Sequence, residues 1–186
     1  MASRYGIDEL VGDALGILRQ AQSEAAAVRR IATFVSRAAA ERSWLQARHF
    51  EADAAQGFGV HLLHEEPDHG LWIVAVAWLP NRGAAPHDHG TWAVVAGVDG
   101  FETNVYWKRV DDGSKAGFAR LEKLNERLVG PGEVVSFLTP AIHSVHNRGR
   151  ETTVSLHAYG RDLMRVDRSQ FDPESCTESP FVLKLQ

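Results

Sequence analysis

Cysteine is almost missing from this chain: Cys176 stands alone among 186 residues. One thiol excludes an internal disulfide framework and any cysteine-rich zinc site. It fits a reducing compartment, so a cytoplasmic protein is expected. Long apolar runs are also missing. The longest, residues 71–80, falls well short of the roughly 20 residues that span a bilayer. The opening MASRYGIDEL has no apolar core of the signal-peptide kind, so neither a secretory leader nor a membrane partner is expected. An excess of basic charge is absent as well. Lys and Arg number 20 against 24 Asp and Glu, for a net charge of −4, which disfavours nucleic acid as a partner. No internal repeat, linker or low-complexity tract is visible.

What is present describes an ordinary globular protein: 44% hydrophobic and 24% charged residues. The length suits one domain. At this size a chain buries roughly 70% of the surface it exposes unfolded, so a substantial core can form. The unusual count is nine histidines.

Two regimes divide the chain. Residues 7–50 read as helical. Ile7, Leu10, Val11, Ala14, Leu15 and Leu18 recur at helical spacing and form one apolar stripe. A second helix is expected over 23–41, with Ser23 as N-cap and Val28, Ile31 and Val35 inward. A short third helix near 44–55 has weaker support. From Gly57 the pattern changes to short β-rich runs at 58–64, 71–79, 91–98, 101–110, 133–138, 142–147 and 152–160. The segment 118–129 fits either a strand or a helix. Turn signals at 80–83, 98–100, 111–114, 130–132 and 147–150 punctuate the runs. Many short strands at even spacing predict a mainly β sandwich or barrel. The expected organisation is a single domain, 1–186, with a helical segment 1–56 packed on a β-barrel 57–186.

The chemistry concentrates in histidine. His87 and His89 flank Asp88, and side chains at i and i+2 on a strand share a face. Two imidazoles on one face can share a metal, and a third must come from elsewhere. The segment GPGEVVSFLTPAIHSVHN (130–147) offers His143, with His146 the competing choice. His146 faces the opposite way on a regular strand. Neutral imidazole suits Zn, Cu, Fe and Ni. Buried or surface histidines without a metal are the plainer reading of an isolated HxH, and the second element favours the metal.

These residues resemble the cupin superfamily, which carries HxH with a downstream Glu, then PxG…H(x)3N. His87-Asp88-His89 is similar to the first motif. Pro131-Gly132 with His143 and Asn147 is similar to the second, with altered spacing. The usual Glu is absent: Trp92, Ala93 and Val94 stand where it would fall. The resemblance implies a cupin double-stranded β-helix barrel, or jelly roll, with three histidines and no carboxylate at its metal. That ligand set resembles the cysteine dioxygenase family of cupins, over about residues 58–181. The family implies Fe(II), a small thiol substrate and O2.

A second signature supports the likeness. Ser155, His157 and Tyr159 alternate along SLHAYG, and thiol dioxygenases carry such a Ser-His-Tyr series beside the iron. The Ser155 hydroxyl can orient His157, which can hydrogen-bond the Tyr159 phenol. Val94 stands where animal enzymes carry a crosslinked cysteine, and Cys176 lies far along the chain. This resembles the bacterial branch, which includes 3-mercaptopropionate dioxygenases. The arginine that binds carboxylate in cysteine-specific enzymes has no equivalent in 59–64; His61 is the occupant by count, or Val60 with a one-residue shift. Arg168, in RVDRSQFDP, is the alternative carboxylate anchor. Plainer roles, a surface arginine and a core histidine, stand beside those for Arg168 and His61.

Trp72, Trp78 and Trp92 read as core, Asp88 as structural, and Asn147 as support for the turn after His143. His49, His64 and His69 carry no usable signal. A β-diketone-cleaving oxygenase, a non-catalytic metal-binding cupin and a Zn or Mn hydrolase or isomerase are the competing functional readings. No oligomeric state is legible.

Overall fold

The computed structural model describes residues 5–186; the first four residues of the expected helical segment lie outside the described residues. Helix α1 (Ile7–Gln20) begins with Asp8 and Glu9 in its first turn, where acids complement the free N–H groups, and Glu9 accepts the Gly6 N–H. Helix α2 (Glu24–Glu41) starts at Ser23, whose Oγ accepts the Ala26 N–H, and stops where Arg42 turns left-handed at φ 52°. The weaker helix expected near 44–55 is only one 3₁₀ turn, Ala47–Phe50.

Eleven strands follow: Phe58–Glu65 (β1), Trp72–Trp78 (β2), Gly83–His87 (β3), Ala93–Asp99 (β4), Glu102–Arg109 (β5), Leu121–Val129 (β6), Val134–Phe137 (β7), Ile142–His146 (β8), Thr153–Tyr159 (β9), Ser169–Asp172 (β10) and Thr177–Pro180 (β11). The undecided segment 118–129 is therefore largely strand. β6 pairs with β5 along its whole length, and its charged, exposed residues suit a sheet edge. Sequence reading missed the short strands β10 and β11 and had β3 only as the strand expected to carry both His87 and His89; β3 ends at His87.

One sheet runs β1-β2-β9-β4-β7 and the other β11-β10-β3-β8-β5-β6, each antiparallel throughout. Two such sheets face to face, with neighbours far apart in sequence, form the expected jelly roll, a double-stranded β-helix barrel. No helix among the described residues is long and apolar enough to cross a membrane.

The central strands of the first sheet, β2, β9 and β4, are buried on both faces. Outside, Ile73, Ala75, Val94, Ala96, Val154, Leu156 and Ala158 pack under Leu10, Ala14, Val28, Ile31 and Val35 of the helices. Inside, Trp72, Val74, Val76, Ala93, Val95 and Tyr159 line the barrel. Alternation on strands (period two) makes this division. Gly83 is required by close approach: a Cβ there would run into the Val145 carbonyl of β8. That approach keeps β3 tight on β8 next to the histidines.

Candidate metal centre and its cavity

His87 and His143 sit directly opposite each other in the β3–β8 register. Such cross-strand pairs bring side chains into contact, and the two rings lie 4.6 Å apart between centroids. His89 is not on the strand. It follows the end of β3 in a loop held by Asp88, whose carboxylate accepts the N–H groups of Gly90 and Ser169 and whose own N–H donates to the Ser169 carbonyl. Gly90 has φ +62°, and a Cβ there would meet the Asp167 carbonyl at 2.6 Å, so this loop closes only with glycine. His89 Nε2 ends 3.1 Å from His143 Nε2. One ring nitrogen from each of His87, His89 and His143 lies within 4.8 Å of the others. His146 faces the other side of β8, 3.1 Å from Ser144 Oγ.

The donor chemistry fits a divalent metal. His87 Nδ1 donates to the Ala85 carbonyl at 2.8 Å, and His143 Nδ1 donates to Asn104 Oδ1 at 3.0 Å. Each bond fixes the proton on Nδ1 and leaves Nε2 a free lone pair. Burial favours the neutral rings, taking His87 down to about 4 and His89 and His143 well below the usual histidine range. Three neutral imidazoles, two of them oriented through Nδ1, are what a late first-row ion takes. Asn104 was invisible to sequence reading; its only signal is its place two residues from Glu102 on a strand, both side chains turned inward and buried.

Strand β9 brings the second group. Ser155 Oγ lies 2.8 Å from His157 Nε2, and His157 Nδ1 lies 2.7 Å from the Tyr159 hydroxyl, all buried. Burial keeps His157 neutral, down to about 3, and holds the Tyr159 phenol well above its ordinary range. The Trp78 indole donates to Ser155 Oγ at 3.0 Å. Trp78 is thus more than core filling.

Tyr159, His87, His143 and His157 line one small cavity with Arg168, Phe181 and Leu163. The Arg168 guanidinium lies 4.2 Å over the Phe181 ring. It is only 7% exposed, and its Nε and one terminal nitrogen are buried without a hydrogen-bond partner. A buried cation with open donors costs free energy until something accepts from them. Arg168 is therefore no surface arginine.

The expectation for His61 fails. It points outward from β1, with Nε2 2.8 Å from the Glu51 carbonyl and its ring against His49, while Val60 faces the cavity. A one-residue slip on a strand exchanges the two faces, which is why counting back from His87 misplaced it. Asn147 ties the turn after β8, donating to the carbonyls of Trp78 and Glu151 and accepting the Gly149 N–H. Sequence reading also passed over Glu102, buried at the inner end of β5 and hydrogen-bonded to Ser155 Oγ at 3.0 Å and to Asn104 Nδ2 at 3.3 Å.

No family model matches the chain. Solved structures are similar to it at low identity. Oxalate oxidase in complex with glycolate aligns at TM-score 0.48 and 19% identity, over 63% of this chain and 59% of that chain. An uncharacterised protein with a double-stranded β-helix domain from Klebsiella pneumoniae aligns at TM-score 0.49 and 10% identity, over 68% of this chain and 88% of that one. The Cupin_2 domain of an XRE family transcriptional regulator from Enterobacter cloacae aligns at TM-score 0.41 and 15% identity, over 57% and 99%. The chain thus spans well under two thirds of the oxalate oxidase chain.

Proposed function

We propose that this chain is a thiol dioxygenase that converts a small mercapto-carboxylate to its sulfinate, RSH + O2 → RSO2H. The observation that carries the reading is Arg168: a buried guanidinium with open donors, in a cavity lined also by His87 and His143 of the three-histidine group and by Tyr159. His87, His89 and His143 would hold Fe(II). The ion would supply redox capacity toward O2 and acidify a bound thiol.

The protein's own residues do the rest. Arg168 receives the substrate carboxylate through its unpaired N–H groups, a charge-assisted contact strengthened by burial. That anchor and the three-histidine group fix the two ends of a short substrate, which favours 3-mercaptopropionate and leaves cysteine a candidate. The apolar wall of Val74, Val76 and Leu163 keeps water away from the sulfur. His157 and Ser155 hold the Tyr159 hydroxyl in place toward the reacting centre. The working unit is the whole chain, 1–186, as one domain in a reducing cytoplasm, with a small thiol and O2 as partners.

The test is oxygen uptake by the Fe(II)-loaded protein with 3-mercaptopropionate, cysteine, mercaptosuccinate and cysteamine. Uptake with sulfinate product, strongest for the carboxylates, is expected. Arg168→Met should lower kcat/KM for 3-mercaptopropionate by roughly 10- to 100-fold, the worth of a buried charged hydrogen bond, and leave cysteamine, which has no carboxylate, little changed. No uptake with any thiol at full iron occupancy would overturn the reading in favour of another three-histidine oxygenase or a binding protein.

A further inference from the structure

The Ser155–His157–Tyr159 series does not end at Ser155. Ser155 Oγ also reaches Glu102 Oε2 at 3.0 Å, across the barrel from one sheet to the other. Glu102 is 2% exposed and, with Ser155, His157 and Tyr159, forms an unbroken buried chain of hydrogen bonds that ends at the cavity. We infer that Glu102 is the far terminus of a proton relay, Glu102–Ser155–His157–Tyr159, whose direction decides whether Tyr159 offers the cavity a hydrogen or a lone pair.

The donor count permits two arrangements. With Glu102 charged, Ser155 donates to Glu102, His157 Nε2–H donates to Ser155, and Tyr159 donates to His157 Nδ1. Tyr159 then turns a lone pair to the cavity. With Glu102 protonated, Glu102 donates to Ser155, Ser155 donates to His157 Nε2, His157 Nδ1–H donates to Tyr159, and the Tyr159 O–H faces the cavity. The two differ by one proton. In both, Ser155 Oγ accepts two hydrogen bonds, one of them from Trp78 Nε1, whose single N–H is shared with Glu102, and donates one. Asn104 does not reverse, because its Oδ1 accepts from His143 and its Nδ2 must therefore face Glu102.

This relay rests on the thiol reading only for its use. There, the S–H proton passes to Tyr159, each group along the chain hands on its own, and Glu102 gains one. The products are a thiolate and a neutral Glu102, with the Tyr159 O–H now aimed at the substrate. When the sulfinate departs as its anion, Glu102 returns the proton through Ser155, His157 and Tyr159 to water in the cavity, so the cycle balances.

Burial raises Glu102 from 4.5 to about 7, with hydrogen bonds from Ser155, Asn104 and Trp78 opposing, so both states are accessible near neutrality. The groups facing it are Ser155 from β9, Trp78 from β2 and Asn104 on its own strand, with Val129 opposite on β6. The titratable groups beyond them are His157 and Tyr159 through Ser155, and His143 through Asn104. His157 stays neutral in either state and relays by exchanging tautomers.

The test reads that tautomer directly. Full-length 15N-labelled protein loaded with Zn(II), which performs no oxygen chemistry, is titrated while the His157 ring nitrogens are followed by NMR. Wild type should carry its proton on Nδ1 at low pH and on Nε2 above about 7. Glu102→Gln, whose amide can only donate to Ser155 while its oxygen faces Asn104, should stay on Nδ1 throughout. If that variant misfolds, Ser155→Ala serves: its tautomer should no longer follow pH. One unchanging tautomer in wild type across the titration would overturn the relay. In the iron-loaded enzyme, Glu102→Gln should lower kcat at least 10-fold, leave KM for 3-mercaptopropionate within 2-fold and remove the limb of the pH profile near 7. Thiol-dependent uptake with an unchanged profile in the variant would overturn the relay alone. A tautomer switch without any thiol-dependent uptake would overturn the thiol reading and leave the relay standing.

Discussion

The two faces of β9 differ more than any two regions of the molecule. Val154, Leu156 and Ala158 point outward into an all-apolar layer closed by α1 and α2. Thr153, Ser155, His157 and Tyr159 point inward, and three of them form the hydrogen-bonded series beside the metal centre. Both faces are fully buried. The helices let the sheet bury an apolar face outside the barrel, so the barrel interior can hold polar groups. A buried polar network stabilises little on net and tolerates few changes, because an unmade bond there is costly. Stability should therefore reside in the outer layer and chemistry in the inner one.

The sharpest break of that division is His143→Ala. It should retain the folded far-ultraviolet signal, lose stoichiometric metal by elemental analysis, and cut oxygen uptake by at least ~100-fold, more than the loss of a residue that merely supports a ligand. Leu156→Ala on the other face should do the reverse. It should cost about 2–5 kcal/mol in urea unfolding while the folded fraction binds metal normally.

Glu102 gives an inner-face effect on stability that depends on pH. Its carboxyl keeps a proton up to about 7 in the folded protein against 4.5 ordinarily. Between those values the folded state binds more protons than the unfolded one, so stability falls as pH rises through that window. The loss is on the order of 3 kcal/mol above pH 7. Glu102→Gln should flatten this decline in metal-free protein, as measured by melting temperature across pH. The smallest effect is expected for Asn104→Ala, which frees His143 Nδ1. Metal affinity should weaken roughly 10- to 100-fold by competition with a chelator, and the metal-free form should melt lower as well, because buried Glu102 and His143 each lose a partner. Unchanged affinity would remove Asn104 from the centre.

Much of this was legible in the chain. The helical spacing of Leu10 to Leu18 and the cap at Ser23 marked two helices, and the β-rich runs marked eight of eleven strands, one of them undecided against helix. His87, His89 and His143 were readable because their motifs are local. So was the alternation of Ser155, His157 and Tyr159, since period two puts all three on one face wherever the strand lies. His61 was misread because face assignment on β1 depends on a register that only pairing with β2 sets. Arg168 could be named as a candidate, but its burial over Phe181 with unpaired donors follows from the backbone contact that returns Phe181 to Arg168, thirteen residues along.

The sequence by itself determined the elements, the three imidazoles and the order of groups along β9, because strand and helix periods are properties of neighbouring residues. Only the tertiary structure decided which distant groups meet. Glu102 and Asn104 belong to one sheet and Ser155 to the other. No local pattern links residue 102 to residue 155; packing of the two sheets, driven by burial of the apolar positions around them, brings them within a hydrogen bond.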